Sequence, residues 1–79
     1  MDKFTRAEKM FDAHLKKLQQ ATSVKELVEL ETFNGIPFYT MKFFNKKFKG
    51  DLEKSREYVI KEAHRGLNNT IESMLEEDF

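Results

Sequence analysis

Residues 33–49 constrain the fold of this chain more than any other segment. They hold six of its ten aromatic side chains and four lysines, but no acidic residue. The aromatic residues are Phe33, Phe38, Tyr39, Phe43, Phe44 and Phe48. A segment with so much large apolar surface must bury much of it, either in a core or against a partner.

The length of the chain limits what else it can build. Its 79 residues predict one domain, spanning residues 1–79, that buries roughly 60% of the surface of the unfolded chain. Because the chain has no cysteine, it has no disulfide, thiolate metal site or thiol nucleophile, which favours a cytoplasmic location. The charged N-terminal segment has no apolar stretch as long as a signal peptide or a membrane span, so we expect no membrane association.

Two capping-box patterns predict helix starts. Thr5-Arg6-Ala7-Glu8 begins a first helix, and Ser23-Val24-Lys25-Glu26 begins a second, shorter one. The apolar face of the first helix recurs every three or four residues and consists of Ala7, Met10, Phe11, His14, Leu15 and Leu18. Gly50 followed by Asp51 predicts the end of one helix and the start of a long last helix. Gly66 weakens that last helix by roughly 1 kcal/mol relative to alanine, which leaves open whether it is broken there.

Residues 28–41 admit two interpretations. The second helix can continue toward Asn34-Gly35, where the glycine closes it and Pro37 prevents continuation. Asn-Gly is also the strongest signal for a two-residue hairpin. We favour the helix because Glu29, Glu31 and Met41 are poor strand residues and because Pro37 would interrupt strand pairing.

The predicted fold class is therefore an all-α, single-domain bundle of three to four helices with a long C-terminal helix. The alternative is an α+β fold with a short hairpin around Asn34-Gly35.

A third helix from Phe38 to Phe48 would be apolar over most of its circumference. Three neighbouring helices in so small a domain cannot cover so wide an apolar surface, so we expect the third helix to contact a second molecule. A stripe of exposed lysines would run beside the aromatic residues. The partner-binding residues predicted in this helix and at its end are Phe43, Phe44, Phe48, Lys42, Lys46 and Lys49.

The C-terminus is acidic and ends in an aromatic residue. Glu76, Glu77 and Asp78 would lie at the negative end of the last helix dipole, where a role in stability does not explain them. Phe79 could enter a pocket of a partner while the carboxylates pair with basic groups around it. We therefore add these four residues to the predicted partner-binding set, with a frayed end as the alternative.

No residue pattern indicates catalysis. His14 and His64 are the only histidines, and neither has a metal-binding spacing. His14 is expected to be a part-buried helical residue. The three glycines are too dispersed to form a phosphate-binding loop. We expect no enzymatic activity, no catalytic residues, no metal site and no cofactor.

These features predict a regulator that binds another protein, as an inhibitor, adaptor or assembly factor, and that forms a homodimer. Fourteen basic and fourteen acidic residues give no net charge to attract nucleic acid. A nucleic-acid-binding module using the lysine and aromatic residues of segment 42–49 is one alternative. A purely structural subunit that assembles only with itself is another. Eleven lysines against three arginines suit a bacterial protein or a phage protein that acts on a host protein machine.

Overall fold

The computed structural model describes residues 3–77, which form four helices and one short hairpin. The elements are α1 (Lys3–Gln20), α2 (Val24–Leu30), β1 (Thr32–Phe33), β2 (Ile36–Pro37), α3 (Met41–Phe48) and α4 (Leu52–Glu77). The prediction of a helical bundle with a long C-terminal helix is confirmed. Gly66 does not break α4, which is one continuous helix.

At the second capping pattern the serine half of the capping box forms, and the glutamate bonds to the residue before the cap. The Ser23 hydroxyl accepts a hydrogen bond from the Glu26 backbone N–H at 3.2 Å. The Glu26 carboxylate in turn accepts from the hydroxyl and the backbone N–H of Thr22, at 2.7 and 3.1 Å. Both hydrogen bonds hold the pKa of Glu26 below its ordinary value, and the bond from the Thr22 hydroxyl has the larger effect. The predicted start at Thr5 is wrong, because α1 already begins at Lys3 and Thr5 lies inside the helix.

The hairpin around Asn34-Gly35 is present, and the predicted continuation of α2 to this point is wrong. α2 ends at Leu30. Asn34 and Gly35 both have positive φ, 54° and 78°, as the favoured two-residue hairpin turns require.

The register of the hairpin explains why Pro37 does not interrupt the strand pairing. Thr32 pairs with Pro37 and Phe33 pairs with Ile36, while the Phe38 N–H donates to the Glu31 carbonyl at 2.9 Å. Hydrogen-bonded and non-hydrogen-bonded pairs alternate along an antiparallel ladder. Pro37 therefore occupies a non-hydrogen-bonded position, where the ladder needs no N–H from it.

The third helix is shorter than predicted. Thr40 caps α3, its hydroxyl accepting from the Phe43 N–H at 3.1 Å, so Phe38 and Tyr39 precede the helix. At the other end Lys49 and Gly50 have positive φ, 54° and 75°, and they turn the chain out of α3. The predicted start of the last helix is confirmed, because the Asp51 carboxylate accepts from the Lys54 N–H at 2.9 Å.

The hydrophobic core lies at one end of the molecule. The buried side chains among the described residues are Leu18, Ala21, Val24, Leu27, Phe44, Ser55 and Val59. α1 and α4 run antiparallel, since Arg56 Nε donates to the Leu18 carbonyl at 3.2 Å and the rings of Phe11 and His64 lie 4.9 Å apart. Beyond the core these two helices continue as a two-helix arm, which consists of residues 3–15 and 60–76. No side chain of the arm is buried.

Candidate protein-binding surface

The three predicted phenylalanines of α3 form an aromatic cluster with two tyrosines. The Phe44 ring lies 5.3 Å from that of Phe43 and 5.4 Å from that of Tyr39. Tyr58 of α4 lies 5.5 Å from Phe48 and closes the cluster from the other side. Phe44 is 0% exposed, so in this fold its ring belongs to the core and not to the surface. Phe43 and Phe48 are half-buried beside it, and their role in partner binding stays a prediction.

Burial of Tyr39 and the position of Lys47 reduce the exposed surface of the aromatic cluster. Burial, with smaller contributions from nearby Tyr58 and two glutamates, raises the pKa of Tyr39 to about 12. The Lys47 ammonium lies 4.8 Å from the centre of the Tyr58 ring and 5.8 and 5.9 Å from those of Phe43 and Phe48. Such cation–π contacts place a charged group over the rings. The aromatic cluster therefore offers a partner less surface than the sequence predicts.

The other predicted site residues are exposed or lie at the chain end. Lys42 and Lys46 are exposed one turn apart on α3, and Lys49 is exposed where the chain leaves the helix. Glu76 is exposed near the end of α4, and Glu77 is the last residue of that helix. Asp78 and Phe79 lie outside the described residues.

The largest exposed apolar side chains cluster elsewhere, on and beside the hairpin. We call Phe33, Ile36, Phe38 and Met41 the hairpin patch; they are 65%, 71%, 67% and 40% exposed. Phe33 and Ile36 are directly paired across the strands, so their side chains lie on the same face. Phe38 follows Ile36 by two residues, and strand alternation puts it on that face as well.

The hairpin patch has the size of the largest apolar patch on a typical monomer. With about two thirds of each phenylalanine exposed, the four side chains present on the order of 400 Å². The largest apolar patch on a monomeric protein is typically about 300–600 Å² and is often functional. The predicted partner-binding residues do not include Phe38 and Met41, nor do they include Phe33 and Ile36. The signal that could have found them is their position on either side of Asn34-Gly35, where a hairpin turn makes them a cross-strand pair.

The base of the hairpin is fixed to the helices. His14 of α1 is half-buried, as predicted, and its Nε2 hydrogen-bonds the Glu31 carboxylate at the end of α2. The Thr32 hydroxyl donates to the Val28 carbonyl at 3.0 Å. A surface held in place before binding loses less conformational entropy when a partner docks. These bonds therefore make the hairpin patch a preformed surface.

Pro37 also limits how a partner can use the hairpin. At a non-hydrogen-bonded position the backbone groups point away from the neighbouring strand, and at Pro37 there is no N–H to offer. Proline on an outer edge blocks the addition of a further strand. The β2 edge is therefore closed to a further strand, while the apolar face of the hairpin stays exposed.

A second surface feature is a mainly polar groove. An open groove of about 390 Å³ between α1 and α2 is lined by Lys17, Gln20, Glu26, Glu29 and Leu30. Within residues 3–77, no group of three His, Cys, Asp or Glu side chains could hold a metal ion. No helix in that part of the chain is long and apolar enough to cross a membrane.

No family model, no curated protein and no solved structure matches this chain.

Proposed function

We propose that this protein acts by binding another protein, which it contacts through the hairpin patch. The partner covers the hairpin patch with an apolar pocket that has acidic side chains around its rim. The observation that carries this proposal is a set of four large apolar side chains exposed on and beside a preformed hairpin. Buried aromatic anchors supply much of the binding energy in protein interfaces, and Phe33 and Phe38 would be those anchors.

The charges beside the patch support an acidic rim on the partner. Lys42 follows Met41 directly, and Lys46 lies one turn further along α3. Between Glu31 and Asp51 the chain has no acidic residue, and Glu31 is already bonded to His14. Two copies of this patch facing each other would bring lysines against lysines, which disfavours a second copy as the occupant.

The biochemical role that follows is stoichiometric regulation. A protein that covers a surface of its partner can inhibit it, adapt it to another molecule or assist its assembly, without catalysing a reaction. The apolar face would supply affinity, and the lysines would set orientation and the rate of association.

The proposal is tested by using this protein and its variants, side by side, to capture the partner protein from an extract of the source cell. Phe33→Thr with Ile36→Thr removes the apolar groups but keeps residues that suit a strand. Loss of an aromatic anchor typically costs about 2 kcal/mol or more, which is about a thirtyfold weaker affinity. Met10→Gln is the matched control, because Met10 is 69% exposed but lies on α1, outside the patch.

The lysines provide a second, independent arm of the test. Lys42→Gln with Lys46→Gln should weaken capture at low salt, and the difference should shrink as salt rises, because exposed charges are screened. Lys54→Gln, an exposed lysine of α4, is the control and should have no effect. Unchanged capture by a folded Phe33→Thr/Ile36→Thr protein would show that the hairpin patch is not the docking surface.

A further inference from the structure

The chain exposes more surface than a compact monomer of its mass. Its accessible surface is 6092 Å², whereas a monomer of 9.4 kDa exposes about 5,000 Å² by the usual scaling. Its radius of gyration is 14.1 Å, compared with about 12 Å for a compact domain of this length. The excess of about 1,000 Å² is close to the roughly 800 Å² that each partner buries in a standard interface.

The two-helix arm contributes to this excess, because no side chain in it is buried. It has an apolar seam along both helices, and every side chain of the seam is only half-buried. The seam residues are Phe4, Ala7, Phe11, Leu15, Ile60, Ala63, Leu67, Ile71 and Met74. Two helices cannot enclose a seam by themselves, whereas two such helical pairs together form the closed core of a four-helix bundle.

Along residues 66–75, one side of α4 carries no charge and is uncovered. Ser55 and Val59 of α4 are buried against the core, and helical spacing puts Gly66 and Thr70 on the same side further along. A Cβ atom at Gly66 would meet no atom within 4 Å. The Thr70 hydroxyl donates to the Gly66 carbonyl at 2.9 Å, so this polar group is already satisfied and tolerates burial. From residue 66 to residue 75 only Glu72 is charged, in a chain in which 35% of residues are charged.

We infer that a second copy of this chain packs against this side of the arm, in an antiparallel dimer with two-fold symmetry. Each copy contributes the same surface to such an interface. Residues 66–76 contain Glu72 and Glu76 and no basic residue, so a parallel dimer would bring the two acidic tips together. The antiparallel arrangement separates them and turns each tip toward the end of the partner that carries the lysines of α3. This dimer uses a different surface from the hairpin patch and does not depend on the proposed function.

A pair of matched substitutions tests the dimer. Thr70→Glu places a charge in the inferred interface. Asn68→Glu places the same charge two residues away, on the opposite side of α4. Both positions are exposed in the single chain, so both variants should keep the helical circular dichroism spectrum. Sedimentation equilibrium across a range of concentrations should give the wild type and Asn68→Glu twice the 9.4 kDa chain mass, and Thr70→Glu at least a tenfold weaker dimer.

Gly66→Leu is a second test that does not rely on charge. A Cβ atom at this exposed position has free space in the single chain, and leucine replaces a residue that weakens helices, so the melting temperature of the monomer should not fall. It should nevertheless weaken the dimer at least tenfold by keeping the helices apart. A wild type that stays monomeric at high micromolar concentration overturns the inference, as does equal weakening by Thr70→Glu and Asn68→Glu. Phe33→Thr/Ile36→Thr should remain dimeric, so failure of the proposed function and failure of the dimer give different results.

Discussion

Replacement of Phe44 by alanine should remove a large part of the stability of this fold. The side chain is 0% exposed, and its ring lies 5.3, 5.4 and 6.4 Å from the rings of Phe43, Tyr39 and Phe48. Truncation of a buried phenylalanine costs about 3–5 kcal/mol. A chain of this length unfolds with a free energy of about 4–12 kcal/mol at the usual value per residue. Because the described core holds six buried apolar residues, we expect a loss of about 4 kcal/mol.

Chemical and thermal denaturation followed by circular dichroism measure this loss. At about 4–8 °C per kcal/mol for a domain of this size, the melting temperature should fall by about 16–30 °C. All samples need the same chain concentration, since a dimer makes the melting temperature depend on it. Phe38→Ala is the matched control, because Phe38 is 67% exposed and its truncation should change stability by less than about 0.5 kcal/mol. Equal losses for the two variants would refute the placement of Phe44 in the core.

Three further changes probe single groups. Arg56 donates from Nε to the Leu18 carbonyl and from its terminal nitrogen to the Ala21 carbonyl, so Arg56→Ala should cost about 1–3 kcal/mol in denaturant unfolding. The buried Ser55 hydroxyl has no hydrogen-bond partner among residues 3–77; Ser55→Ala should therefore leave stability unchanged or raise it by up to about 1 kcal/mol, and a clear loss would contradict this. The pKa of Tyr39 is raised from 10.0 to about 12, so the unfolded chain loses this proton first and wild-type stability should fall as pH rises through that window. Tyr39→Phe should remove this part of the alkaline loss in unfolding measured against pH.

The parts of the fold that sequence reasoning predicted depend on local hydrogen bonds. The Ser23 cap and the Asp51 cap each join a side chain to a backbone N–H three residues later. Such contacts are set by neighbouring residues alone, so the sequence identifies them directly. The Thr5 pattern has the same form but is overridden, because α1 extends two residues further toward the N-terminus.

The parts that it missed depend on register and tertiary packing. Asn34-Gly35 suits both a helix end and a hairpin, and the tolerance of Pro37 follows from its pairing with Thr32, which no local pattern specifies. Phe38 and Phe44 are the same residue type in the same aromatic segment, yet one is exposed and the other fully buried. The difference arises because α3 begins only after Thr40, which leaves Phe38 beside the hairpin. The candidate site therefore moves from the middle of α3 to the hairpin patch.

Site-specific photo-crosslinking in the source cell tests whether the hairpin patch binds another protein. A photoreactive phenylalanine analogue replaces Phe33 in one variant and exposed Glu57 of α4 in the control. We expect position 33 to give one covalent adduct with a single other protein, mapped to an apolar pocket next to acidic residues. Position 57 should give none. If position 33 gives no adduct with another protein, or if position 57 gives the same adduct, the hairpin patch is not the docking surface.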